Sequence, residues 1–176
     1  PYIFRDFRGL TVRAFPFQYN PVENKLRVYT RMLVEIKSTG FDSINTLNRK
    51  RNGYSNEFQQ IYRDHFLNFT NVRYEPLKES GRMLVICYDD FIPAITPFVK
   101  WKNQKGIVTD LVAISQIGNT PTQIKNFIQT QYNLNNGLTF VQLVGDAAQI
   151  ATPSVRDGGS DPSYSMLDGS DYYPEI

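Results

Sequence analysis

The sequence predicts an α/β protein, a parallel βαβαβ sheet covered by helices and preceded by an antiparallel β-hairpin. Three observations carry this. Short apolar runs at residues 83–88, 107–114 and 138–144 are separated by two stretches whose apolar residues recur at helical spacing. Upstream, residues 9–19 and 26–37 alternate apolar and polar over much of their length. The composition, 41% hydrophobic and 20% charged with 12 Phe and 11 Tyr, is that of a packed globular chain.

Taken in order, GLTVRAFPFQY (9–19) and LRVYTRMLVEIK (26–37) flank Asn20-Pro21-Val22-Glu23-Asn24-Lys25, rich in turn formers. That is the pattern of an antiparallel hairpin. Pro16 has no N–H to donate, so it predicts an edge position or a bulge. Residues 39–52 are polar without periodicity and read as a linker. Ser55 then stands where an N-cap is needed. Phe58, Ile61, Tyr62, His65, Phe66 and Phe69 form one stripe of an amphipathic helix. Residues 72–80, with Pro76, form a second linker.

After Gly81 the pattern changes. MLVICY (83–88) is almost continuously apolar, as expected of a strand covered on both faces. Asp89 or Asp90 is placed to cap the next helix, whose apolar positions include Phe91, Ile95, Phe98, Val99 and Trp101. Pro93 suits a first turn, whereas Pro97 predicts a kink or a late start. Lys105-Gly106 is a stop signal. IVTDLVAI (107–114) is the second strand. Thr120-Pro121 offers an N-cap followed by proline at the first helical position, and Ile124, Phe127, Ile128 and Tyr132 give that helix its buried side. LTFVQLV (138–144) is the third strand, ending in Gly145-Asp146. Strands and helices in this alternation imply a parallel sheet with right-handed crossovers. The expected organisation is a β segment at 1–40, a linker with one helix at 41–80, and the α/β unit at 81–176. A chain that starts at Pro1 without methionine is expected to be a processed piece.

Composition narrows function. Net charge is +2, and the one basic run, Arg49-Lys50-Arg51, is too short for a nucleic-acid stripe, so no nucleic-acid partner is expected. No apolar run approaches the roughly 18 residues of a membrane span. Tyr88-Asp89-Asp90 occupies the turn where a phosphate-binding site would need glycines. The chain has 1 Cys and 1 His, so an internal disulfide is excluded. Cys87 lies inside an apolar run, where burial raises a thiol's pKa and makes it inert. His65 lies on a helix stripe far away in sequence. Both read as core residues, and no catalytic residue is expected here.

Asp146, at the carboxyl end of a parallel strand where open α/β sheets place their ligands, is open to three readings: binding a cation, orienting a loop, or capping the next helix. The last thirty residues hold Asp157, Asp161, Asp168, Asp171 and Glu175. Calcium takes about six to eight oxygens, and residues 168–175 offer three carboxylates and free carbonyls, without matching the EF-hand template.

Several stretches resemble the gingipains. Arg73-Tyr74-Glu75-Pro76, then residues 79–86 (ESGRMLVI), 98–106 (FVKWKNQKG) and 143–146 (LVGD), are similar to the start of the mature enzymes. Residues 5–9 (RDFRG), 16–20 (PFQYN) and 26–30 (LRVYT) are similar to the end of their propeptide. The resemblance implies a secreted or surface-bound bacterial cysteine endopeptidase, made as a zymogen, with a caspase-like fold of two α/β subdomains. Its catalytic His and Cys lie in the second, and residues 81–176 resemble only the first. The expected partners are therefore the missing second subdomain, the propeptide on its own catalytic domain, and protein substrates of the parent. The implied processing bond is Arg73–Tyr74, with Arg49 and Arg51 as alternative cuts. The implied calcium ligands are Asp146, Asp168, Asp171, Tyr173 and Glu175, with Asp168 and Tyr173 giving main-chain oxygens. A surface-sorting domain or transpeptidase is the alternative, and a non-catalytic binding module a third.

Overall fold

The computed structural model describes residues 1–48, 56–69, 81–134, 136–156, 158–170 and 173–176. Its centre is a three-stranded parallel sheet in the order β6-β5-β7, built from β5 (Arg82–Cys87), β6 (Thr109–Ala113) and β7 (Leu138–Val144). Met83 pairs with Thr109 on one side and Phe140 on the other; Cys87 pairs with Ala113 and Val144. β5 is the middle strand, which explains why its sequence is apolar throughout: residues 83–87 are all buried. α2 (Ile92–Gln104) connects β5 to β6, and α4 (Pro121–Asn133) connects β6 to β7 after one short helical turn, α3 (Ile114–Ile117). The two crossovers run in opposite directions from the middle strand, so right-handedness places α2 and α4 on opposite faces.

The two faces are unequally covered. α4 buries Ile124, Ile128 and Tyr132 against Leu84, Ile86, Leu138, Ile150 and Tyr164. Its start is as expected: Thr120 Oγ1 accepts from the Gln123 amide at 3.2 Å, and Pro121 follows. α2 has no fully buried residue, and Trp101, expected on its inner side, is 47% exposed. Neither Asp89 nor Asp90 caps it. A 3-10 turn (Asp89–Phe91) leads in instead, and Asp89 accepts from the Ser115 hydroxyl and, at 3.2 Å, its amide. α2 also continues past Pro97, and its start at Ile92 is earlier than a proline-delayed start would give.

The N-terminal part departs further from expectation. The predicted hairpin exists, but only as β3 (Phe17–Asn20) paired with β4 (Lys25–Val28), extended by one bond from the Tyr29 amide to the Pro16 carbonyl. Both strands are exposed along their length. A second hairpin joins β1 (Tyr2–Phe4) to β2 (Phe7–Gly9) through a two-residue loop, Arg5-Asp6. Arg5 has φ 47°, a left-handed conformation usually left to glycine in such loops and costing other residues roughly 1–2 kcal/mol.

α1 (Asn56–His65) packs on this second hairpin. Phe58, Tyr62 and Phe69 join Phe4 in an aromatic cluster bordered by Tyr2, Phe7, Phe66 and Tyr173. Ile61, predicted on the buried stripe, is 46% exposed; the contact face is narrower than the apolar spacing implied. Ser55, the expected cap, lies outside the described residues. Beyond β7 come a small hairpin, β8 (Ser154–Val155) with β9 (Gly158–Gly159), and a 3-10 turn at Asp161–Tyr164. Among the described residues no helix is long and apolar enough to cross a membrane.

Candidate functional site

An open parallel sheet places ligands beyond its strand carboxyl ends, where the crossover direction reverses. In this sheet that point lies between β5 and β7. The Tyr88 amide donates to the Val144 carbonyl at 3.0 Å, closing the crevice at its base. Gly145 has φ 151°, and a Cβ there would stand 3.1 Å from Gln149 and Ile150 side chains. The chain therefore turns sharply into Asp146. Asp146 Oδ1 accepts from the Ala148 amide at 2.7 Å, and its carbonyl accepts from the amides of Gln149 and Ile150 at 3.0 and 2.8 Å. No helix directly follows Asp146: residues 147–149 form a turn, and its carboxylate and carbonyl hold that turn together. Asp89 is likewise engaged, by Ser115.

Of the cysteine and histidine, Cys87 stands beside this crevice at the carboxyl end of β5, and His65 is on α1. Cys87 is fully buried at the end of the middle strand, and its Sγ donates to the Tyr88 carbonyl at 3.1 Å. Burial, helped by the nearby Asp89 carboxylate, pushes the thiol pKa up. His65 Nε2 shares a hydrogen bond with the Tyr2 hydroxyl at 2.8 Å, and its ring meets Phe4, Phe66 and Tyr173 edge-on. Each is occupied by other partners. Folded protein should therefore react with an aromatic disulfide reagent at least a hundredfold more slowly than protein unfolded in guanidinium, as read by release of the coloured thiolate. A cleft of about 540 Å³ is lined by residues 139–143 of β7 together with Met83, Tyr164 and Ile176; neither Cys87 nor His65 lines it.

Of the residues assigned by resemblance to calcium, Asp168, Tyr173 and Glu175 each engage other groups. Asp168 Oδ2 accepts from the Tyr132 hydroxyl at 3.1 Å. Glu175 is 0% exposed, and its Oε2 accepts from the Leu167 amide at 2.5 Å. Tyr173 stacks its ring on Tyr2, centroids 4.3 Å apart. Among the described residues no three His, Cys, Asp or Glu side chains converge as a metal site would require. Asp171 and the processing pair Arg73 and Tyr74 lie outside the described residues.

The cluster that sequence reading missed is centred on Arg5, 1% exposed. Its Nη2 donates to the Leu138 carbonyl at 2.8 Å, and its Nη1 to the Glu175 carbonyl. The guanidinium lies over the Phe58 ring, 4.6 Å from the centroid, with Asp6 as its ion partner at 3.6 Å. Asp6 in turn accepts from the Tyr62 hydroxyl at 2.6 Å. Only the density of aromatics around a hairpin-length RDFRG stretch hinted at it.

Burial, then Asp6, pushes the Tyr62 phenol far above its usual range; burial, then Asp161, pushes Tyr164 up to about 12. Both pKa values are higher folded than unfolded. Their contribution is therefore complete below the unfolded value near 10 and is lost as pH climbs beyond it. Thermal midpoints should fall between about pH 10 and 12, and Tyr62→Phe should make that fall shallower.

Comparison with known proteins places these features. A model of peptidase family C25 matches residues 77–176, and a model of the propeptide of that family matches residues 1–82. Gingipain R2 of Porphyromonas gingivalis is 38% identical over 184 residues, covering 100% of this chain and 25% of the relative. Lys-gingipain of the same organism is 31% identical over 183 residues, covering 96% of this chain and 10% of the relative. The crystal structure of the Arg-specific cysteine proteinase gingipain R superposes with a TM-score of 0.52 at 36% identity, over 58% of this chain and 25% of that one. A complex of Porphyromonas gingivalis RgpB pro- and mature domains gives a TM-score of 0.52 at 35% identity, over 55% and 23%. The chain thus spans about a quarter of the length of gingipain R2. The three-stranded parallel sheet is the partial caspase-like sheet expected of the first catalytic part, and α1 falls inside the propeptide match.

Proposed function

The chain belongs to peptidase family C25, carrying propeptide and the first part of the peptidase domain, and on that premise we propose that its parent is a secreted bacterial cysteine endopeptidase made as a zymogen. In this reading residues 81–176 are the scaffold half of the catalytic domain, and the chain alone hydrolyses nothing. One observation carries it. The single cysteine is sealed in the middle strand and the single histidine is held by Tyr2, so the nucleophile and base must come from the remainder of the parent. The division into a β segment at 1–40, a linker with a helix at 41–80 and an α/β unit at 81–176 belongs to the same proposal, as does processing at Arg73–Tyr74. The fragment and the longer parent, assayed side by side on arginyl and lysyl peptide amides, test it. Turnover is expected from the parent only. Turnover by the fragment that disappears in Cys87→Ala would overturn the scaffold reading. Intact-mass analysis reports whether the chain breaks after Arg73.

Calcium is part of the proposal through Asp171. Asp146, Asp168 and Glu175 do not by themselves form a site, so a carboxylate from Asp171 and main-chain oxygens of Asp168 and Tyr173 would have to complete it. Bound calcium would offset repulsion among these acids and steady the segment that leads onward from the sheet. Millimolar calcium is expected to raise the melting temperature, and Asp171→Ala to remove that rise. No response in the intact chain would remove calcium from the account.

A further inference from the structure

Arg5 crosses the boundary between the two family matches. It stands in the propeptide match, and its hydrogen-bond acceptors, the carbonyls of Leu138 and Glu175, stand in the peptidase match. Asp6, on the same loop, supplies a counter-charge, and the Tyr62 hydroxyl from α1 holds Asp6 in place. The tip of the β1–β2 hairpin is therefore inserted with a carboxylate of its own beside the guanidinium. The receiving surface contributes main-chain oxygens, which keep their acceptor strength at any pH and in any redox state. A planar guanidinium suits this role, since its two terminal nitrogens serve two separate carbonyls; an ammonium point charge lacks that geometry.

The two carbonyls belong to different parts of the catalytic half. Leu138 opens β7, and Glu175 lies in the terminal segment. That segment is also held within the peptidase match, by the Glu175 amide on the Ser165 carbonyl at 2.9 Å, the Leu167 amide on Glu175 Oε2, the Tyr132 hydroxyl on Asp168 and the packing of Leu167 and Ile176 on the core. From the propeptide come the stacking of Tyr2 on Tyr173 and Asn45 Oδ1, which accepts from the Ser170 amide at 3.0 Å. The Arg5 bond to the Glu175 carbonyl and the Tyr2–Tyr173 stack are thus propeptide contacts made at residues 173–176.

We propose that Arg5 is a removable rivet between the propeptide and residues 173–176: cutting the chain between the two parts leaves the rivet in place, and only departure of the propeptide frees the segment. This deepens the zymogen reading above and rests on it. The order of events would then be cleavage, release, and loosening of the segment, with the second step setting the third.

The test uses the full chain with a foreign protease site inserted between residues 70 and 80. After cutting, association is followed by native mass spectrometry and dilution, and backbone order by hydrogen exchange. In the otherwise wild-type protein the two pieces are expected to stay together, with the amides of Leu167 and Glu175 still protected. In Arg5→Met the pieces should separate with a dissociation constant raised about a hundredfold or more, and the Glu175 amide should lose its protection. Amides of β5 should remain protected, which shows that the sheet has not unfolded. Arg5→Lys should fall nearer to Met than to wild type. Loss of protection in wild type on cutting alone, or equal binding by the Met variant, overturns the rivet. Neither outcome touches the zymogen reading, which stands or falls on hydrolysis by the parent.

Discussion

Tyr62→Ala is expected to unfold the layer made by β1, β2 and α1 while the parallel sheet persists. Tyr62 is 0% exposed and touches the rings of Phe4, Phe7, Phe58, Phe66 and Phe69 with centroids 4.9–6.1 Å away. Truncating a buried aromatic to alanine costs about 3–5 kcal/mol. The lost hydroxyl also takes a hydrogen bond from Asp6, whose side chain is 3% exposed, adding about 1–3 kcal/mol. Whole domains are stable by about 5–15 kcal/mol, so a layer resting on this one cluster has little margin. Urea unfolding followed by hydrogen exchange should show two events: early loss of protection over residues 56–69, and late loss over residues 82–87. Tyr62→Phe separates the terms, since it removes only the hydroxyl. A Tyr62→Ala protein that unfolds in one step at the wild-type midpoint would show that this cluster does not hold the layer.

The parallel sheet was legible because its signals are local and redundant. Residues 83–87 are apolar because β5 is the middle strand, and Thr120-Pro121 marks the start of α4 by chemistry that needs no tertiary information. The β1–β2 hairpin was hidden for the opposite reason. Its loop is Arg5-Asp6 with the left-handed position filled by arginine, and a buried arginine is stable only where carbonyls, a carboxylate and a ring converge from residues up to 170 positions away. No window of sequence contains that information. The same distance effect explains Ile61 and Trp101. Periodicity reports that a stripe is apolar, while burial depends on how much partner surface exists to cover it. Asp146 was legible as a special position, yet its role turned on where the Ala148 amide points, a matter of backbone path after Gly145. For the acids at 168–175 the sequence supplies proximity alone, whereas the partners of Asp168 and Glu175, the Tyr132 hydroxyl and the Leu167 amide, are set by the fold.

The unequal covering of the sheet gives the second large effect, and it can be measured with one residue type. Ile124 on α4 is 0% exposed within the core that includes Leu84, Ile86 and Ile128, whereas Ile95 on α2 is half-buried. Removing three carbons from a sealed site costs the transfer energy plus the cavity left behind, about 2–5 kcal/mol. At a half-covered site water refills the space, and the loss should be about 1 kcal/mol. Ile124→Ala should therefore lower the melting temperature several times as far as Ile95→Ala, at roughly 2–4 °C per kcal/mol for a chain of this size. Equal losses would mean that α2 is packed as tightly as α4, and the exposure of Trp101 would then need a different cause. The expected inequality also bears on function. Under the proposed scaffold role, rigidity is needed where the strand ends are carried, and α4 grips β5 and β7, the two strands flanking the crevice that ends at Asp146.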